Sequence, residues 1–191
     1  MGMETFLKTE EQQQEHADTL KDCFNVLVKN KLTPILSGSS LLAWRREGDF
    51  LQWYPPGSVL IIRYEEIKSE QQQEKIIEDL KNANLEIYKY FKKPKGWKIT
   101  VKRGLWIIEI TGFHKAGKNY ARQVNRKRIK TIPKTFLTAP FSEVELRGQK
   151  YIAPLNVDEY LDHLYIDWKI PNQSGWSSEF RNKKYSRRTD I

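Results

Sequence analysis

Cys23 is the only cysteine in the 191-residue chain, so no disulfide framework can hold it together and a reducing compartment suits it. Cys23 sits on an apolar helical stripe, which predicts burial rather than reactivity. No apolar run approaches the roughly 20 residues that cross a bilayer, so no transmembrane segment is expected. The opening "MGMETFLKTEEQQQEH" is acidic and polar, unlike a secretory leader, and Leu7 stands where a myristoylation motif has Ser or Thr. The expectation is a cytoplasmic protein. Three histidines, His16, His114 and His163, lie far apart and share no metal-ligand spacing. The serines of "GSS", Ser39 and Ser40, have no evident histidine–carboxylate relay, which argues against a serine hydrolase. Carboxylates are missing from two stretches, Phe50 to Tyr64 and Ile110 to Ser142.

The chain otherwise has the makings of a globular domain: 39% hydrophobic and 12% aromatic residues, with 30% charge. The net charge is +9 and is unevenly spread. Lys115, Lys118, Arg122, Arg126, Lys127, Arg128, Lys130 and Lys134 fall in the second acid-free stretch. The ending "RNKKYSRRTDI" adds five more bases against one aspartate. Such a field attracts nucleotide phosphates, nucleic acid or an acidic membrane surface. A solvated surface and a basic tail are the plainer explanations.

Leu20, Cys23, Phe24, Leu27 and Val28 recur at helical spacing and predict an amphipathic helix over Thr9 to Lys29. "ILSGSSLLAWRR" starts as a strand or turn and feeds a second, short helix. Val59 to Tyr64 reads as a strand, and Ser69 to Asn82 as a helix opened by Ser69. Leu85 to Phe91, Trp97 to Val101 and Leu105 to Thr111 read as further strands, with a tight turn at "KRG". The run "LWIIEIT" suggests a strand buried on both faces. Within it Glu109 is the oddity, because an unpaired buried carboxylate is costly. Either that end of the strand emerges into water, or Glu109 lines a cleft opposite the Gly38 turn. Gln123 to Phe136 offers another strand pair, and Asn156 with Glu159 opens a last helix. His16 is expected on a solvated helix face, and His163 opposite the apolar stripe of its helix. The order of elements indicates an α+β domain, a mixed β-sheet with packed helices, spanning 1–175, with a basic C-terminal tail at 176–191.

Several landmarks then fall in order. "GSSLLAWRREGDFLQW" (Gly38 to Trp53) has small residues, an apolar run, an arginine and an aromatic pair. "LWIIEIT" adds an acidic strand, and "FSEVELRGQKYIAPLNVDEYLDHLYIDWKIP" closes the series at Pro171. Together they resemble the LicD/fukutin-type family, a branch of the nucleotidyltransferase superfamily with the polymerase-β-like fold. The resemblance implies a transferase moving phosphocholine or an alditol phosphate from a cytidine-diphosphate donor to a glycan. It implies that Gly38, Ser39 and Ser40 bring backbone donors to the donor phosphates. Arg45 would be the phosphate clamp, with His114, Lys115 and Lys118 in a basic loop able to close over the ligand. Glu109 would be the remaining catalytic carboxylate, and Mg²⁺ the cofactor if the enzyme is active.

The chain departs from that pattern where the family carries its acidic cluster. Aligned on Trp53, those positions hold Tyr54, Pro55, Pro56, Gly57 and Ser58, and the metal-binding pair falls on Pro56 and Ser58. One carboxylate rarely suffices for a hard divalent cation. Three readings stay open. The first is an active transferase recruiting Asp49, Glu65 or Glu66 beside Glu109. The second is a phosphate- or nucleotide-binding regulatory module that has lost its metal site, with a protein partner. The third is a basic nucleic-acid-binding domain using Lys115 to Lys134, with Trp97, Phe113 and Tyr120 stacking on bases.

Overall fold

The computed structural model describes residues 7–52, 57–93, 96–125, 128–170 and 186–188. The first helix, α1 (Glu10–Lys29), begins where Thr9 accepts a hydrogen bond from the Gln12 amide and the Gln12 side chain accepts one from the Thr9 amide. Its buried stripe runs from Gln13 through His16, Leu20, Cys23 and Phe24 to Leu27. Strand β1 (Ile35–Ser37) leads directly into α2 (Gly38–Glu47), which stops at Gly48 in the left-handed conformation. Strand β2 (Ser58–Arg63), a 3-10 turn (Tyr64–Glu66) and α3 (Glu70–Asn82) follow, with the Ser69 hydroxyl accepting from the Gln72 amide. Next come β3 (Glu86–Lys93), β4 (Gly96–Arg103), β5 (Trp106–Ala116), β6 (Asn119–Asn125) and β7 (Arg128–Pro133). The hairpin β8 (Phe141–Leu146) and β9 (Gln149–Pro154), then α4 (Val157–Leu164) and β10 (Ser186–Arg188), complete the order. Asn156 caps α4 by accepting from the Glu159 amide.

The sheet is mixed. β2 lies antiparallel to β1 and parallel to β5, while β9 runs parallel to β1. β5 is long enough to serve two neighbourhoods. Trp106 to Gly112 pair with β4, and Ile108 to Phe113 with β2. Its end, His114 to Ala116, pairs with β6 and so carries β7 and β10. Ser186–Arg188, assigned to the tail by sequence, thus extends the sheet beside β7.

Strand alternation sorts side chains onto two faces. Ser58, Leu60 and Ile62 of β2 and Ile108 and Ile110 of β5 point under α1 and α3, and all five are at most 2% exposed. This layer with Leu20, Leu27, Ile76 and Leu80 is the main core. The opposite face carries Val59 and Ile61 of β2 and Glu109 and Thr111 of β5. α4 packs on that side, where the Tyr160 hydroxyl meets Ser37 Oγ at 2.6 Å. "LWIIEIT" is therefore covered by helices on one face only, and its other face borders a cleft.

Two histidines lie elsewhere than the sequence suggests. His16 is 2% exposed, stacked on Trp106 at 4.7 Å between centroids, with Nε2 2.8 Å from Ser58 Oγ. His163 is buried as well, and its Nε2–H donates to the Thr131 carbonyl, tying α4 to β7. Both count as apolar-stripe positions once the polar residue has a partner.

Candidate functional site

The end of β1 delivers the chain into α2 without a spacer, and Gly38 makes the corner. Its φ is +64°, and a Cβ there would lie 3.0 Å from Val59 Cγ2. Only glycine meets both demands without strain. Gly38→Ala is expected to lower stability by about 1–3 kcal/mol, combining left-handed strain with the clash. Adding Val59→Ala should return part of that loss, and a denaturant double-mutant cycle measures the coupling. A Gly38→Ala midpoint equal to that of the parent would contradict this geometry.

No side chain caps the start of α2. Ser37 holds the N-cap position, but its hydroxyl is taken by Tyr160, and the first turn carries no acid. The leading amides therefore present the positive end of the helix dipole to whatever lies in front of them. What lies there is a solvent-open cleft of about 80 Å³, room for several waters or a small anion. Ser37, Gly38 and Ser39 form one wall, and Val59, Glu109 and Thr111 form the floor. Arg122 of β6 and Lys130 of β7 line the far side, and the two are direct cross-strand partners. Arg122 lies over the Phe113 ring, 5.8 Å from its centroid. Thr111 is 2% exposed, and its Oγ1 has no hydrogen-bond partner within the protein. A buried hydroxyl in that state is normally satisfied by something else in the cavity.

Gly38, Ser39 and Glu109 come together in this cleft; the other site residues singled out by sequence do not. Ser39 donates to the Gly57 carbonyl at 2.5 Å. Ser40 is buried with its hydroxyl against Ser58, which in turn meets His16. That buried trio has no carboxylate on His16 Nδ1 and no opening to substrate. Arg45 makes a two-pronged pair with Asp158 at the start of α4, 2.6 and 3.0 Å, on the surface. Lys115 reaches toward Glu65 at 3.6 Å, and Lys118 lies exposed at the turn between β5 and β6. His114 lies on the face of β5 opposite Phe113 and outside the cleft. No family model matches this chain, and no curated protein matches it.

Glu109, the one carboxylate among the described residues lining the cleft, is already paired. Lys98 of β4, whose direct partner is Thr111, donates to Glu109 Oε1 at 2.6 Å, two register positions from the Thr100–Glu109 pair. Directly across the parallel ladder from Glu109 stands Val59. Ser58, placed in the metal-binding pair by alignment, points to the other face beneath α1, while Trp53 to Pro56 lie outside the described residues. The carboxylates that a rearranged metal site would recruit are engaged elsewhere. Asp49 binds Arg147 at 2.6 Å, Glu65 accepts from the Tyr120 hydroxyl at 2.6 Å, and Glu66 pairs with Arg63. Among the described residues, no three His, Cys, Asp or Glu side chains converge to hold a metal ion. The donor set does not fit magnesium: one carboxylate, already paired with an ammonium, beside a valine.

Sequence reasoning flagged the basic block but not which of its members face inward. Arg122 and Lys130 are selected by the β6–β7 register, which places them on one face at one rung. The rings offered for base stacking are a correction: Trp97, Phe113 and Tyr120 are each 1% exposed, closed in the core.

Proposed function

We propose that this chain is a phosphate- or nucleotide-binding module on a nucleotidyltransferase-like, LicD/fukutin-type scaffold that lacks the usual metal-dependent chemistry. The observation that carries the reading is the make-up of one cleft: an uncapped helix start at Gly38, a partnerless Thr111 hydroxyl and two facing cations, Arg122 and Lys130. Backbone amides at a helix N-terminus and a guanidinium fork suit phosphate oxygens. Among the described residues that line the cleft, Glu109 carries the one negative charge that would repel such a ligand, and Lys98 offsets it.

Calorimetric titration of inorganic phosphate, pyrophosphate, CMP and CDP tests this reading. Binding should strengthen with phosphate charge, be absent for uncharged cytidine and differ less than two-fold between EDTA and millimolar Mg²⁺. A requirement for Mg²⁺, or turnover of a CDP-linked donor, would favour the active transferase instead. Absence of binding by every phosphate would end the module reading.

A further inference from the structure

β3 is an edge strand: among the described residues it pairs only with β4. The hairpin from Glu86 to Arg103 carries seven bases, Lys89, Lys92, Lys93, Lys95, Lys98, Lys102 and Arg103, against the single acid Glu86. Large rings stand among them. Tyr88 is 49% exposed and Phe91 50% exposed. The Lys89 ammonium lies 4.8 Å from the centroid of the Tyr88 ring, so cation and ring are presented to solvent together. A register shift between Ile87 and Lys89 puts Tyr88 at an irregularity of the strand. Phe91 is opposite Lys98, on the sheet face that also bears Glu109 and Thr111.

Lysines and a bulge on an edge strand guard against edge-to-edge aggregation. That role explains the charges and the irregularity. It does not explain half-exposed rings, which add apolar area where protection would remove it. Tyr90 differs from the other two, since its hydroxyl donates to Gln73 of α3 at 2.9 Å and holds the ring on the helix side.

We propose that the β3–β4 hairpin binds single-stranded nucleic acid, Tyr88 and Phe91 stacking on bases while the hairpin lysines contact phosphates. Aromatic rings interleaved with cations are the chemistry such strands need: every base has a π-face, and the backbone repeats a negative charge. The two rings lie roughly 10 Å apart along the strand and would take separate bases; the irregularity at Tyr88 relaxes the alternation that otherwise sets residues three apart on opposite faces. A duplex, with its bases stacked inside, offers them nothing to stack on. The hairpin adjoins the cleft through Lys98, which is held by Glu109, but its two rings and Lys89 do not line the cleft, and the proposal stands whether or not the cleft binds phosphate.

The test is fluorescence anisotropy of labelled oligo-dT and oligo-U, about 20 nucleotides long, with the full chain. Saturable binding is expected, weakening with salt at a logarithmic slope of about 0.7 per phosphate contacted. A duplex of equal length should bind at least ten-fold more weakly. Tyr88→Ala and Phe91→Ala should each weaken binding about ten-fold, whereas Tyr88→Phe should not. Lys89→Glu with Lys102→Glu supplies a second probe should the ring variants fold poorly. Equal loss on Tyr88→Phe and Tyr88→Ala, or no loss on either ring-to-Ala change, would overturn the stacking role. Binding abolished by Arg122→Met with Lys130→Met but kept by the hairpin variants would move the nucleic acid into the cleft and overturn the proposal. So would tighter binding to anionic phosphatidylserine vesicles than to the oligonucleotides, or dimerisation that the ring variants abolish in the absence of nucleic acid.

Discussion

Pyrophosphate titrated into the Arg122→Met, Lys130→Met double variant is expected to bind at least a hundred-fold more weakly than to the parent chain. Each hydrogen bond to a charged partner contributes about 1.5–3 kcal/mol in a partly desolvated site, so two lost contacts amount to two or more powers of ten. The variant separates binding from folding. Like charges directly opposite on neighbouring strands work against the ladder, and Arg122 and Lys130 occupy that arrangement. Methionine keeps apolar bulk against the Phe113 ring, which Arg122 now overlies at 5.8 Å. Denaturation of the double variant, followed alongside, ensures that affinity is compared between folded proteins. Arg45→Met is the matching control. It breaks a surface pair with Asp158, worth about 1 kcal/mol or less, and should leave pyrophosphate affinity unchanged. Affinity lost in the control and kept in the double variant would relocate the site to Arg45.

Acid should unfold this domain through His16. Burial first, and then the nearby Lys8 ammonium, push its imidazole from the ordinary 6.5 down to about 3, with Asp49 opposing. Between those two values the unfolded chain binds a proton and the folded one does not. Stability therefore rises with pH across that window and falls as pH drops from 6.5 toward 3. The full gap corresponds to ~5 kcal/mol, a large share of the 5–15 kcal/mol that holds a typical domain. His163, lowered mainly by burial, contributes with the same sign. Carboxylates held below their ordinary range by basic partners, Asp18 beside Lys21 and Asp158 beside Arg45, add to the acid loss. The informative quantity is accordingly the difference between parent and variant. His16→Gln keeps a polar group near Ser58 and removes the titration, so its stability should be flatter from pH 6.5 to 3. Parallel curves would show that His16 does not titrate in this window.

The helices could be read because their signals are local. The apolar stripe of α1, Ser69 before α3 and Asn156 before α4 each lie within a turn of the structure they specify. Glu109 was conspicuous for a similar reason: a charge inside an apolar run must find a partner, and it found Lys98. The β8–β9 hairpin was not read as strands, although Glu143 and Glu145 alternate with the buried Val144 and Leu146 as on a half-buried strand. Its turn, with Arg147 and Gly148 both at positive φ, is intelligible only once the pairing is known. His16 was assigned to solvent since its partner, Ser58, lies 42 residues away. The cleft cations are the extreme case: eight bases lie between Ile110 and Ser142, and only cross-strand register selects Arg122 and Lys130.

The double membership of β5 has a mechanical outcome. One strand supplies rungs to β2 and β4 along most of its length and to β6 at its end, so neither part of the sheet has a private backbone. Peeling β6 and β7 away would bare the His114–Ala116 end of the strand whose other rungs belong to the helix-covered layer. The cation-bearing ribbon therefore hangs from the same strand as the core, joined to it by the rungs at His114, Lys115 and Ala116.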